Sequence, residues 1–182
     1  MAFRFSTQKT IQAVGVLLEF ERTNRMGRLR LLKLLYMADR ESLKETGRPL
    51  IGTRVVAMEH GPLHSEVLDL INGQHLAQAE WSKFIRNDGY QVELTQDPGR
   101  SALSRCEIEK LTELSTRFAH REDWDVADFT HGLEEYKKNW EEGTSKTIPF
   151  RDILEAVGRA GDAESILQDA RDKAAFDDVF GV

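Results

Sequence analysis

Few side chains in this sequence have the type and spacing to do chemistry. His60 and His64 stand four positions apart, with Glu59 and Glu66 beside them, which is a start toward a metal site. Gly61-Pro62 lies between the two histidines and prevents them from sharing one helical face. They read instead as polar residues at a strand-to-helix junction. Cys106 falls in the first turn of a predicted helix, where the helix dipole favours a thiolate. A nucleophilic cysteine also needs a base, and the sequence places none; Arg105 and the dipole are its only supports, so Cys106 reads as a small half-buried residue. The carboxylate pairs Glu134-Glu135, Glu141-Glu142 and Asp177-Asp178 are adjacent, and adjacent helical residues point in different directions. They read as solvation rather than as an acid/base pair. The glycines are scattered singly, with only Gly27 between Arg25 and Arg30, so no phosphate-cradling loop is present. No catalytic residue, metal or cofactor is expected, and the protein is read as a non-enzyme.

The remaining polar residues suit contact better than catalysis. The helix signal from Arg28 is apolar almost all round in its first half: Leu29, Leu31, Leu32, Leu34, Leu35, Met37 and Ala38. Such a helix belongs in the middle of a domain. Arg28, Arg30 and Lys33 leave it too little polar face to enter a DNA groove. It reaches a functional surface at Tyr36, whose hydroxyl needs a partner if buried, and at Asp39 and Arg40. Trp81, Trp124 and Trp140 lie near predicted element ends, and Phe176, Val179 and Phe180 lie in an acidic tail. Each group reads as core or as a contact anchor, and the sequence leaves both open.

Elements able to position these residues follow from spacing and breakers. Ser6 is placed to cap a first helix through about Glu21, with Ile11, Val14, Leu17 and Leu18 on one face. Thr23-Asn24 and Gly27 break it. The second helix runs from about Arg28 to Glu45, with Gly47 placed as its C-terminal cap. Ile51 to Met58 reads as a strand. Pro62 suits the first turn of a third helix reaching about Asn72, because its missing N–H has no helical partner there. Phe84 to Leu94, with Asn87-Asp88-Gly89 between two alternating runs, predicts a hairpin. Ser104 and Glu107 form a capping box before a helix bearing Ile108, Leu111, Leu114 and Phe118. One further helix is expected from Trp124 to about Tyr136, a loop over 141–145, a short helix from Phe150 to Val157, and a last helix capped by Asp162. The sum is a mainly helical α+β domain over residues 1–160, with a small antiparallel sheet or hairpin, followed by a helical tail over 161–182.

Bulk properties agree with a binding protein. The 182 residues carry a net charge of −6 and are 40% hydrophobic, enough for one core. Charge is uneven: residues 1–60 hold 11 Lys/Arg against 6 Asp/Glu, whereas residues 61–182 hold 14 against 25. The second part would repel a phosphate backbone, and an acidic surface more naturally meets a basic protein. No apolar run approaches the roughly 18 residues that span a bilayer. With one cysteine and no secretory apolar core in MAFRFSTQKT, the expected location is the cytoplasm.

Several segments also resemble a known family. Lys33-Leu34-Leu35-Tyr36-Met37-Ala38-Asp39 resembles the "KLLY-x-A-D" helix of the Panacea domain, the SocA-like antitoxins. Gly47-Arg48-Pro49-Leu50 and Ala57-Met58-Glu59-His60-Gly61-Pro62 resemble its "G-x-P" and "x-x-GP" segments, in order. Leu114-Ser115 through Asp128-Phe129-Thr130-His131 is similar to its later helix and "TH" segment. Ile148-Pro149-Phe150-Arg151-Asp152-Ile153-Leu154 is similar to its closing segment, so the likeness spans roughly residues 6–158.

That resemblance implies an antitoxin that neutralises a cognate toxin by direct protein–protein binding. In such systems the toxin is often encoded next door and often in prophages, and some of the toxins attack translation. It also implies an alternative, an adaptor that delivers a toxin or other client to a protease. The partner-binding surface expected from the motif positions comprises Tyr36, Asp39, Arg40, Arg48, His60, His64, Thr130 and His131. Neither direct nucleic-acid binding nor a membrane partner is expected.

Overall fold

The computed structural model describes residues 3–180. Ser6 starts the first helix, α1 (Thr7–Phe20), by accepting from the backbone N–H of Lys9. Every residue from Thr10 to Leu18 is buried, more than the single face its spacing predicts. Later helices cover α1 on several sides, and the buried Gln12 amide is satisfied by the Pro98 carbonyl and the Ala102 N–H.

A three-residue strand, β1 (Arg25–Gly27), stands where the sequence suggests only a break. It leads into α2 (Arg28–Thr46), the central helix, whose residues Arg30 to Asp39 are all buried. Gly47 ends α2 at φ +72, donating its N–H to the Leu43 carbonyl, as its glycine identity predicts.

The predicted strand shortens to β2 (Val55–Met58), and the next element departs from expectation. Pro62 does not open a helix: Gly61–His64 form β3, antiparallel to β2, with Pro62 opposite Ala57. Its position in the ladder explains why proline is tolerated. Ser65 N–H donates to the Arg54 carbonyl. Counting back through the alternation of an antiparallel pair places Pro62 at a non-hydrogen-bonded position, where its missing N–H costs nothing. The third helix, α3, accordingly starts at Ser65 and ends at Asn72, closed by Gly73 at φ +75.

An unpredicted short helix, α4 (Gln78–Phe84), buries Trp81 completely. The expected hairpin follows as β4 (Ile85–Asp88) and β5 (Gln91–Leu94). The Ser104/Glu107 capping box opens α5 (Arg105–Phe118) as predicted. The single helix expected from Trp124 to Tyr136 is two, α6 (Asp123–His131) and α7 (Glu134–Asn139), separated at Gly132-Leu133. A short strand, β6 (Lys146–Ile148), was not anticipated; α8 (Phe150–Ala156) and α9 (Ala163–Phe180) complete the chain.

The strands form two three-stranded antiparallel sheets, ordered β1-β5-β4 and β3-β2-β6. The architecture is the mainly helical α+β class expected, with a second sheet that the sequence did not reveal. One large core joins α1, α2, α5 and the first sheet. A smaller one gathers Tyr36, Leu43, Val55, Tyr136, Ile153 and Leu154 against Ala163 and Leu167 of α9. The first turns of the tail helix are thus part of the packed structure. Among the described residues, no helix is long and apolar enough to cross a membrane.

Candidate partner-binding site

Helix α2 carries Lys33, Tyr36 and Asp39 into places where water does not reach, and each is answered by a particular partner. Lys33 is fully buried, and its Nζ donates to the Pro62 carbonyl at 2.9 Å. That carbonyl faces away from β2 in the ladder, so the lysine supplies the donor that the sheet does not. Burial pushes the Lys33 ammonium down to about 7, since the charged form loses its hydration.

Six residues further along α2, Asp39 ties three chain segments together. Its carboxylate accepts from the Ile51 N–H at 2.5 Å and the Gly52 N–H at 3.1 Å, and its Oδ2 lies 2.9 Å from His64 Nε2. The loop after α2 and the end of β3 are therefore pinned to the central helix.

The third link comes from α7. Glu135 Oε1 accepts from the Tyr36 hydroxyl and from Arg40 Nε, each at 2.7 Å. Burial, then the neighbouring Glu135 charge, raises the Tyr36 phenol well above its usual range. The sequence pointed to Tyr36 and Arg40. It read Glu135 as a solvated charge, because its partners lie 99 and 95 positions away.

Gly61 is where the hairpin meets α6. Its φ of +93 and its close surroundings both require glycine: a Cβ there would lie 2.5 Å from Thr130 Oγ1, 3.1 Å from Lys33 Nζ and 3.2 Å from His131 Cδ2. Thr130 is buried and donates to the Ala127 carbonyl. His131 stacks on Tyr136, with ring centroids 5.2 Å apart, and the Tyr136 hydroxyl donates to the Met58 carbonyl at 3.0 Å. At the hairpin tip, the His60 ring meets Trp124 edge to face at 5.1 Å.

The structure thus brings seven of the eight expected residues into one continuous region. Within it they divide by exposure. Tyr36, Asp39, His64 and Thr130 are buried and lie beneath the surface. Arg40 is mostly covered and committed to Glu135. His60 is exposed and His131 partly so. Arg48 stands apart, beside a cleft of about 890 Å³ between the end of α2 and α9. Lys33, Glu135 and Trp124 lie in the same region and were not among the expected residues. The apolar context of Lys33 was the one local signal. Cys106 is exposed rather than half-buried. Among the described residues, no group of three or more His, Cys, Asp or Glu side chains is placed to hold a metal ion.

The family model of the antitoxin SocA-like Panacea domain matches residues 31–137. That span runs from the first turn of α2 to α7 and contains Lys33, Tyr36, Asp39, Arg40, His64, Thr130 and Glu135. No curated protein and no solved structure matches the chain. With more than half of its length matched, and with the matched residues interlocked around one hairpin, the chain belongs to the SocA-like antitoxin family of Panacea domains.

Proposed function

We propose that this protein is the antitoxin of a toxin–antitoxin pair and neutralises its toxin by binding it directly, without catalysis. The observation that carries this reading is how the matched residues are used. Lys33, Asp39 and Glu135 anchor the β2–β3 hairpin and α7 to the central helix through hydrogen bonds. A surface held this way is preorganised, so little ordering cost is incurred on docking. The exposed residues over this frame, His60, Trp124, His131 and Trp140, are of types that anchor protein interfaces. An interface of ordinary size, about 1,200–2,000 Å² in total, suffices for neutralisation by occlusion or locking.

Co-expression with the protein encoded immediately beside the gene tests this. A growth defect caused by the neighbour alone, relieved by this chain together with a co-purifying complex, is the expected result. A harmless neighbour with no complex would overturn the reading.

A second reading, an adaptor that presents a client to a protease, draws on the far half of α9. There Phe176 and Val179 are exposed on a helix whose first turns are docked. Removing residues 174–182 should then leave client binding intact and abolish client degradation. Unchanged degradation would eliminate that role for the tail.

A further inference from the structure

We propose that the aromatic face over the β2–β3 hairpin tip docks a cationic, arginine- or lysine-bearing segment of the partner protein. The inference rests on the direct-binding reading and names its contact chemistry. Trp124, Asp128 and His131 sit at i, i+4 and i+7 on α6, which places them on one side of that helix. His60 abuts Trp124 from the hairpin, and His131 crosses to the Tyr136 stack. Trp140, one turn beyond Tyr136, extends the row at a ring separation of 6.2 Å. Trp124 is 59% exposed and Trp140 43%. Large rings left in water beside one another mark an interaction surface, and tryptophan is a preferred anchor there.

Charge decides the occupant. Residues 122–131 carry four carboxylates (Glu122, Asp123, Asp125, Asp128) and no lysine or arginine. Among the described residues, Glu59 at the hairpin tip has no ion pair, and Asp128 has only the His131 Nδ1 at 3.7 Å. Of the nearby cations, Lys137 pairs with Glu134 and Lys138 with Asp152, Arg30 donates to the Phe118 and Arg121 carbonyls and lies 3.9 Å from Asp123, and the exposed Arg121 precedes Glu122, so the carboxylates without a lysine or arginine partner at the aromatic face are Glu59 and Asp128. Aromatic faces flanked by carboxylates that lack a lysine or arginine partner, here Glu59 and Asp128, attract guanidinium and ammonium groups through both the ring quadrupole and the local field. A phosphate backbone would be repelled, and a purely apolar partner would strip water from the carboxylates without replacing it.

The test uses the full chain and two probes. The first is a ten-residue peptide of alternating arginine and glycine, with its glutamate counterpart as control, followed by tryptophan fluorescence at low and high salt. The arginine peptide should bind, weaken with salt, and lose about tenfold or more in affinity with Trp124→Ala or with the pair Glu59→Lys and Asp128→Lys. The matched-charge pair Asp169→Lys and Asp178→Lys on α9 should bind as the parent does, and thermal melts should show all variants folded. No binding, an intact Trp124→Ala, or equal losses in both charge pairs would overturn the proposal.

The second probe is the adjacent gene's protein. If the parent chain fails to neutralise it while the peptide result holds, the antitoxin reading falls and the surface stands. If Trp124→Ala and the Glu59/Asp128 pair neutralise as well as the parent, the surface falls and the antitoxin reading stands.

Discussion

Replacing Lys33 by methionine should make the protein more stable at neutral pH, and the gain should vanish as pH rises. Burial lowers the lysine from 10.5 to about 7 in the folded protein. The folded state therefore gives up the proton, or carries an unfavourable charge, over a range in which the unfolded chain remains protonated. That gap corresponds to about 5 kcal/mol, present in full below about pH 7 and relieved at about 1.4 kcal/mol per pH unit up to the unfolded value of about 10.5. Methionine has similar length and no charge, but it leaves the Pro62 carbonyl without its donor, at a cost of about 1–3 kcal/mol. The balance favours Lys33→Met by about 1–3 kcal/mol at pH 7 and reaches parity or reverses near pH 10. Urea unfolding of both proteins from pH 6 to 9.5 measures it. A difference that is flat with pH, or a variant less stable at pH 6, would refute the assignment of Lys33 as a buried, desolvated amine.

Three further outcomes are expected. Asp39→Ala strands the Ile51 and Gly52 N–H groups and His64 Nε2, and should cost about 3–5 kcal/mol, or about 6–20 °C in Tm; a loss below about 1 kcal/mol in thermal or urea melts would contradict the three-way tie. Gly61→Ala faces both positive φ and the Thr130 hydroxyl, so a loss of about 2–4 kcal/mol with a changed tryptophan emission is expected; an unaltered melt would show that the hairpin tip yields freely. Cys106→Ser should leave stability within about 0.5 kcal/mol, and the native thiol should react fully with a thiol reagent without unfolding; protection from the reagent would place Cys106 in a contact not seen here.

What the sequence reveals is whatever its local chemistry determines. The Ser6 cap, the Ser104/Glu107 box, and the stops at Gly47 and Gly73 each act within a few residues, and the helix ends they set were predicted nearly to the residue. The Asn87-Asp88-Gly89 hairpin is equally local. Strands β1 and β6 are three residues each and exist only because β5 and β2 pair with them, so no run of their own announces them. Pro62 misleads for a related reason: its fitness for β3 depends on the phase of hydrogen bonding to β2, which alternates along the ladder and leaves no mark in composition. The site divides in the same way. Tyr36, Asp39 and Arg40 stand out because they interrupt an apolar helix, whereas Glu135 looks solvated until the fold sets it against that helix. The exposure of Trp124 and the burial of Trp81 follow from tertiary packing alone.

The long reach of the Glu135 link sets a schedule for synthesis. Tyr36 and Arg40 leave the ribosome 99 and 95 residues before the carboxylate that fixes them. At about 5–20 residues per second, that is a wait of roughly 5–20 s during which the hairpin face lacks its α7 support. A chain interrupted before that point carries α2 without the residue that ties it to α7. Nascent and prematurely terminated products should therefore be poor substitutes for the finished protein, and active protein should lag behind its message by at least the time needed to make the 95 residues between Arg40 and Glu135.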